Sequence, residues 1–175
     1  MLRACPILIV LFFFSNCSPE SKYRQEIGDV SNRWQEVVTH TATLSADVTQ
    51  QIATWQKVYH AVYGNTDSLD TLTAEQTSEL NQLKMNCLAH GDVYVSIQEE
   101  LDEEMQYIES NGVGVQMLML DLEKGDFSDS VVLKLKNVSQ ALVVSENKVK
   151  GWEALLSSTQ KECKEACQQS KNIAL

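Results

Sequence analysis

The residue types with most chemistry in this chain fall in two short stretches, Cys87-x-x-His90 and Cys163-x-x-x-Cys167. On a helix, spacings of three and four put both members of each pair on one face. If those faces meet, three thiols and an imidazole converge. In an oxidising compartment Cys87 pairs with Cys163 or Cys167 as a disulfide closing a loop of about 75 residues. The same four residues offer ligands to zinc or another thiophilic metal, although the spacing in KECKEAC is not that of a zinc knuckle. Thiols buried in a core also serve as small apolar side chains. The disulfide is the expected outcome, with no cofactor.

Other candidates point to less. His40 and His60 have no suitable partner nearby in sequence and read as surface or seam residues. The run Glu99, Glu100, Asp102, Glu103 and Glu104 lacks the glycine-containing template of a calcium loop and reads as a solvated helix face. There is no glycine-rich phosphate loop, no G-x-S-x-G and no H-E-x-x-H. No base and nucleophile are brought together, so the expectation is a protein that is not an enzyme.

The elements that must position the thiols are helices. Both prolines, Pro6 and Pro19, lie near the start, and nothing after them forbids long helices. Apolar residues recur in steps of three and four: Ile27, Val30, Trp34, Val37, Leu44, Val48, Ile52, Trp55, Tyr59 and Val62, with Thr41 filling a polar step. Gly64-Asn65-Thr66-Asp67-Ser68 stops this seam, and Thr73-Ala74-Glu75-Gln76 opens the next helix as a capping box. The second seam reads Leu80, Leu83, Cys87, His90, Tyr94, Ile97, Leu101, Met105 and Ile108. After Gly125-Asp126-Phe127-Ser128 a third reads Val131, Leu135, Val138, Leu142, Val149, Trp152, Leu156, Cys163 and Cys167.

The fold class is therefore all-α, a long antiparallel three-helix bundle resembling a coiled coil, with helices over about 20–63, 73–123 and 128–172. Asn111-Gly112-Val113-Gly114 marks a kink near 111–114 in the second helix; a turn there would make residues 115–124 a fourth, short helix. Turns centred on Asp67 and Asp126 would bring Trp34, Leu101 and Trp152 into one layer. They would also set Cys87 opposite Glu165, between Cys163 and Cys167, with His90 one turn along.

The N-terminal region carries an address. Arg3 precedes an apolar stretch that ends in Ile7 to Phe14, far short of the ~20 residues of a membrane-spanning helix. Residues 1–17 read as a signal peptide and 18–175 as a single helical bundle. Phe14-Ser15-Asn16-Cys17 resembles the lipobox of bacterial lipoproteins, departing from it at Phe14 and Asn16. The resemblance implies that Cys17 is lipidated and becomes the new N-terminus, anchoring the chain to the cell-envelope membrane and facing the periplasm. Ordinary cleavage after Cys17 would instead give a soluble secreted protein. Leu72-Thr73-Ala74-Glu75-Gln76 is similar to the L-T-x-x-Q motif of periplasmic helical chaperones and envelope-stress or metal sensors; a capping box explains the same letters.

The chain is acidic. Losing residues 1–17 takes Arg3 and no acid from its 14 basic and 24 acidic side chains, moving the formal charge one unit below −10. That argues against nucleic acid as a partner. The expected role is a membrane-anchored structural or interaction module for another envelope protein, or for a second copy in a homo-oligomer. Its docking patch is Val113, Val115, Met117, Leu118, Met119 and Leu120. The alternative is a metal- or stress-responsive binding protein using Cys87, His90, Cys163 and Cys167.

Overall fold

A computed structural model describes residues 19–64 and 72–174. The expected signal segment, including Cys17, lies outside them, as does the turn from Asn65 to Ser68. The described residues form three long helices and no strand: α1 Pro19–Tyr63, α2 Ala74–Lys124 and α3 Asp129–Ala174. Each packs against the other two. The chain is an all-α three-helix bundle.

The helix ends follow from local chemistry. At the end of α1, the Gly64 N–H donates to His60 O at 2.9 Å, and a Cβ on Gly64 would fall 2.4 Å from that oxygen. Thr73 caps α2: its Oγ1 accepts from the Gln76 N–H at 3.2 Å while Gln76 Oε1 accepts from the Thr73 N–H at 3.0 Å. At its other end Gly125 adopts φ 67°, a left-handed conformation without penalty only for glycine. Gly125 and Asp126 then donate to Leu122 O and Asp121 O, satisfying carbonyls left over by the helix. Asp126 Oδ1 accepts from the Ser128 N–H at 3.0 Å, which holds the Asp126 carboxyl below its usual pKa.

Residues 115–124 form no separate helix, and α2 runs unbroken through residues 111–114. Neither glycine there turns the chain, and Gly114 serves packing. A Cβ on Gly114 would stand 2.9 Å from Val138 Cγ2, and one on Gly112 3.6 Å from the Trp34 indole nitrogen. At Gly114 the bare backbone lets α3 come close, whereas a methyl on Gly112 would make an ordinary contact.

The core divides into two clusters. One holds Ile27, Val30, Trp34, Val37, Ile108, Val115, Leu118, Val131, Leu135, Val138 and Leu142. The other holds Leu44, Val48, Tyr94, Ile97, Leu101, Val149, Trp152, Leu156 and the three cysteines. Burying each large aliphatic side chain contributes about 1.5–3 kcal/mol. Between the clusters each helix buries one polar residue: Thr41, Glu104 and Ser145, all 0% exposed.

The second hairpin has the expected register. Trp152 Nε1 donates to Glu100 Oε2 at 2.7 Å, and the Cys87 and Cys167 sulfurs are 3.7 Å apart. Both pairs straddle Asp126 almost evenly. The first hairpin does not fold about Asp67. Trp55 covers Gly91, and Lys84 Nζ lies 6.0 Å from the centre of the Tyr63 ring, pairings centred near residue 73. The first turns of α2 project past the end of α1, so each α1 residue meets α2 about a dozen residues later than expected. Trp34 consequently falls in one cluster while Leu101 and Trp152 fall in the other.

Candidate functional site

The thiols converge as the second turn predicts. Cys87 on α2 faces Cys163 and Cys167, one helical turn apart on α3, and the three sulfurs lie within 4.8 Å of one another. All three residues are buried, Cys87 completely. Trp55 of α1 roofs the cluster, its Nε1 donating to Cys87 O at 2.8 Å. That approach requires a glycine on α2, since a Cβ on Gly91 would lie 2.1 Å from the indole ring. Tyr94, 2% exposed, stands beside Cys163 and shares a hydrogen bond with it. Tyr63 closes the distal side through a 2.5 Å hydrogen bond with Ser170 Oγ.

This setting holds the Cys87 and Cys163 thiols in their neutral form. A hydrogen bond with Cys163 pulls Cys87 down, but its bond with Cys167 and burial outweigh that and push it up to about 11. Cys163 is raised further by hydrogen bonds to Cys167 and Cys87 and then by burial. Burial, followed by the field of Cys163, raises Tyr94. A cluster so protonated is a poor nucleophile.

Two expectations for the cluster change. The disulfide from Cys87 to Cys163 or Cys167 is not formed: 3.7 Å between Cys87 and Cys167 far exceeds the ~2.05 Å of an S–S bond. His90 stands outside the sulfur set, its Nδ1 3.9 Å from Glu162 at the edge of the α2–α3 contact. The seam position that spacing assigned to His90 belongs to Gly91, because the Trp55 ring fills the space there. Of the four metal candidates, the three cysteines come together and His90 does not.

The predicted docking patch also divides. Val115 and Leu118 are buried in the core and Met119 packs against it. Val113, Met117 and Leu120 are about half exposed, at 56%, 48% and 51%. Val113 and Leu120 stand along one side of a groove of about 970 Å³ between α1 and α2, whose lining does not include Met117. Trp34, Val38, Met105 and Met119 line it, together with three glutamines and a single charged residue, Glu109.

The acidic run holds a feature that its composition conceals. Glu99, Glu100, Asp102 and Glu103 are exposed, but Glu104 is 0% exposed. Ser145 Oγ donates to its Oε1 at 2.5 Å and Lys148 Nζ to its Oε2 at 2.6 Å. Met105, the hydropathic choice for that seam position, is 43% exposed instead. The readable signal was the gap in the third seam between Leu142 and Val149, where Ser145 sits. His40, 3.9 Å from Glu153, and His60 are on the surface as expected.

Among the described residues, no helix is long and apolar enough to cross a membrane. Comparison of the chain with protein families, curated proteins and solved structures finds no match. Function must be argued from the geometry.

Proposed function

We propose that the chain is an anchored, non-catalytic interaction module of a bacterial cell envelope, which receives an amphipathic helix of a partner protein in the groove between α1 and α2. The observation that carries this reading is the half-exposed pair Val113 and Leu120 beside the apolar floor of Trp34, Val38 and Met119. Such continuous apolar surface is the usual mark of a contact site. Between residues 105 and 120 the groove follows about 22 Å of helix, enough for four turns laid in helix-in-groove fashion. A chain of net charge −10 favours a partner with basic flanks over a second copy of itself.

The anchor is lipidated Cys17. Two acyl chains give stable attachment, each buried CH₂ contributing about 0.8 kcal/mol. With α1 rising from Pro19, the groove residues Ser31 to Val38 would stand about 18–28 Å beyond the start of the helix.

Two measurements test the reading. Intact mass of membrane-extracted protein should begin at an acylated Cys17; a start at Ser18 without lipid would make the chain a soluble secreted protein. For the groove, the protein labelled with 5-fluorotryptophan should give one resonance for each of its three tryptophans. Titration with a Leu/Lys amphipathic peptide should shift Trp34 and spare Trp152, and Leu120→Glu should abolish that shift. A Trp34 shift that survives Leu120→Glu, or none at all, would reject the groove. The same shift produced by raising protein concentration alone would replace the partner with a second copy.

A further inference from the structure

We propose that Cys87, Cys163 and Cys167 form a three-sulfur site for a trivalent thiophilic element, of which arsenic(III) is the probe. The number of sulfurs is the first indication. A disulfide needs two, yet three approach one another within 4.8 Å, supplied by two helices and buried to similar degree. A central atom about 2.3 Å from each sulfur, the length of a Zn–S bond, holds three sulfurs about 4.0 Å apart when planar and closer when pyramidal. The 3.7 Å between Cys87 and Cys167 already falls in that range.

Charge then chooses the element. Three thiolates around Cu(I) carry two negative charges and around Zn(II) one, whereas around a trivalent centre they carry none. Uncompensated charge in an apolar interior is costly. The side chains beside the sulfurs are Trp55, Tyr94 and Tyr63, none of them cationic. The basic groups nearest along α2 are Lys84, whose Nζ lies over the Tyr63 ring, and His90, which faces Glu162. Zinc also seeks a fourth ligand, and no histidine or carboxylate belongs to the sulfur set among the described residues. A neutral trithiolate is the complex this pocket favours.

The exchange balances without a redox partner. Arsenous acid, As(OH)₃, reacts with three thiols to give As(SR)₃ and three waters. Each As–O bond is replaced by As–S, each thiol proton leaves in water, and arsenic stays trivalent. Because neutral thiols react with a neutral acid, the raised pKa of the thiols is no obstacle. Tyr94 would remain as a hydrogen-bonding neighbour of the Cys163 sulfur. The site lies in the opposite half of the bundle from the groove and stands independently of it.

The test uses the full chain with Cys5→Ser and Cys17→Ser, so that only the three core thiols remain. Reduced protein is treated with arsenite, Zn(II) or Cu(I) in parallel, followed by intact mass and thiol counting. The expected product with arsenite is one arsenic per chain with three hydrogens lost and no titratable thiol left. Cys87→Ala, Cys163→Ala and Cys167→Ala should each weaken arsenite binding at least tenfold, with helix content by circular dichroism confirming folded variants. If a variant unfolds, protection of each cysteine from alkylation in the arsenite-treated parent chain supplies the same answer. Binding that survives loss of any one cysteine, a product that retains a titratable thiol, or tighter binding of Zn(II) or Cu(I) than arsenite would overturn the proposal. So would rapid air oxidation to a Cys87–Cys167 disulfide that arsenite does not prevent.

Discussion

Replacing Gly91 by alanine should destabilise this protein, although alanine is the better helix former. Gly→Ala within a helix gains about 1 kcal/mol from backbone entropy and propensity. At Gly91 the new methyl would lie 2.1 Å from the Trp55 ring, so the indole must leave. It then forfeits its hydrogen bond to Cys87 O, about 1 kcal/mol, and part of a large aromatic burial, about another 1–2 kcal/mol. The losses exceed the gain by about 1–2 kcal/mol, a fall in Tm of roughly 2–8 °C. Gly151 is the control: it is helical, exposed and has nothing within 4 Å of its added Cβ, so Gly151→Ala should stabilise by about 0.5–1 kcal/mol. Urea unfolding followed by circular dichroism reads both. A cycle with Trp55→Ala isolates the cause, because without the indole Gly91→Ala should become stabilising. The reasoning fails if Gly91→Ala matches Gly151→Ala in the parent chain, or if removing Trp55 leaves its sign unchanged.

Further outcomes follow from the other sites. Lys148→Met leaves the buried Glu104 carboxylate with Ser145 alone and should cost about 3–5 kcal/mol in chemical unfolding, against at most about 2 kcal/mol for Glu104→Met, whose freed lysine is half exposed and can turn to water. A cost for Glu104→Met equal to that of Lys148→Met would refute this asymmetry. Val113→Asp and Leu120→Glu, being exposed, should each change stability by no more than about 0.5 kcal/mol while removing peptide binding. Stability should fall at alkaline pH. The Cys87 thiol is pushed from 9.0 to about 11 in the fold, so the unfolded chain releases its proton first, and the stabilisation present below pH 9 is lost as pH rises through about 11. Unfolding midpoints measured between pH 8 and 11 should show this decline, and Cys87→Ala should lessen it, leaving the part that Cys163 and Tyr94 contribute.

The sequence made much of this molecule readable where one local rule suffices. Seam spacing, the Thr73 box and the Gly125 turn placed three helices, and the tight second turn set Cys87 against Cys163 and Cys167 at the correct height. It failed where two neighbouring positions fit the same spacing. His90 against Gly91 and Met105 against Glu104 are both decided across the bundle, by the bulk of Trp55 and by the donors Ser145 and Lys148. Hydropathy cannot rank such pairs, because a glycine or a glutamate is favoured there only by what it meets. The first hairpin escaped for another reason. Gly64 tells where α1 ends, but no local signal says how far the first turns of α2 project beyond it.

The number of helices has a consequence for what such a molecule does to distance. Because three is odd, the chain enters the bundle at one end and leaves at the other. The 46 residues of α3 at about 1.5 Å each separate Asp129 from Ala174 by about 70 Å. Held by its first residues, the protein would carry its last ones about that far from the point of attachment. A disordered linker gives a spread of distances; these packed helices would act as a ruler, its length fixed by the number of helical turns.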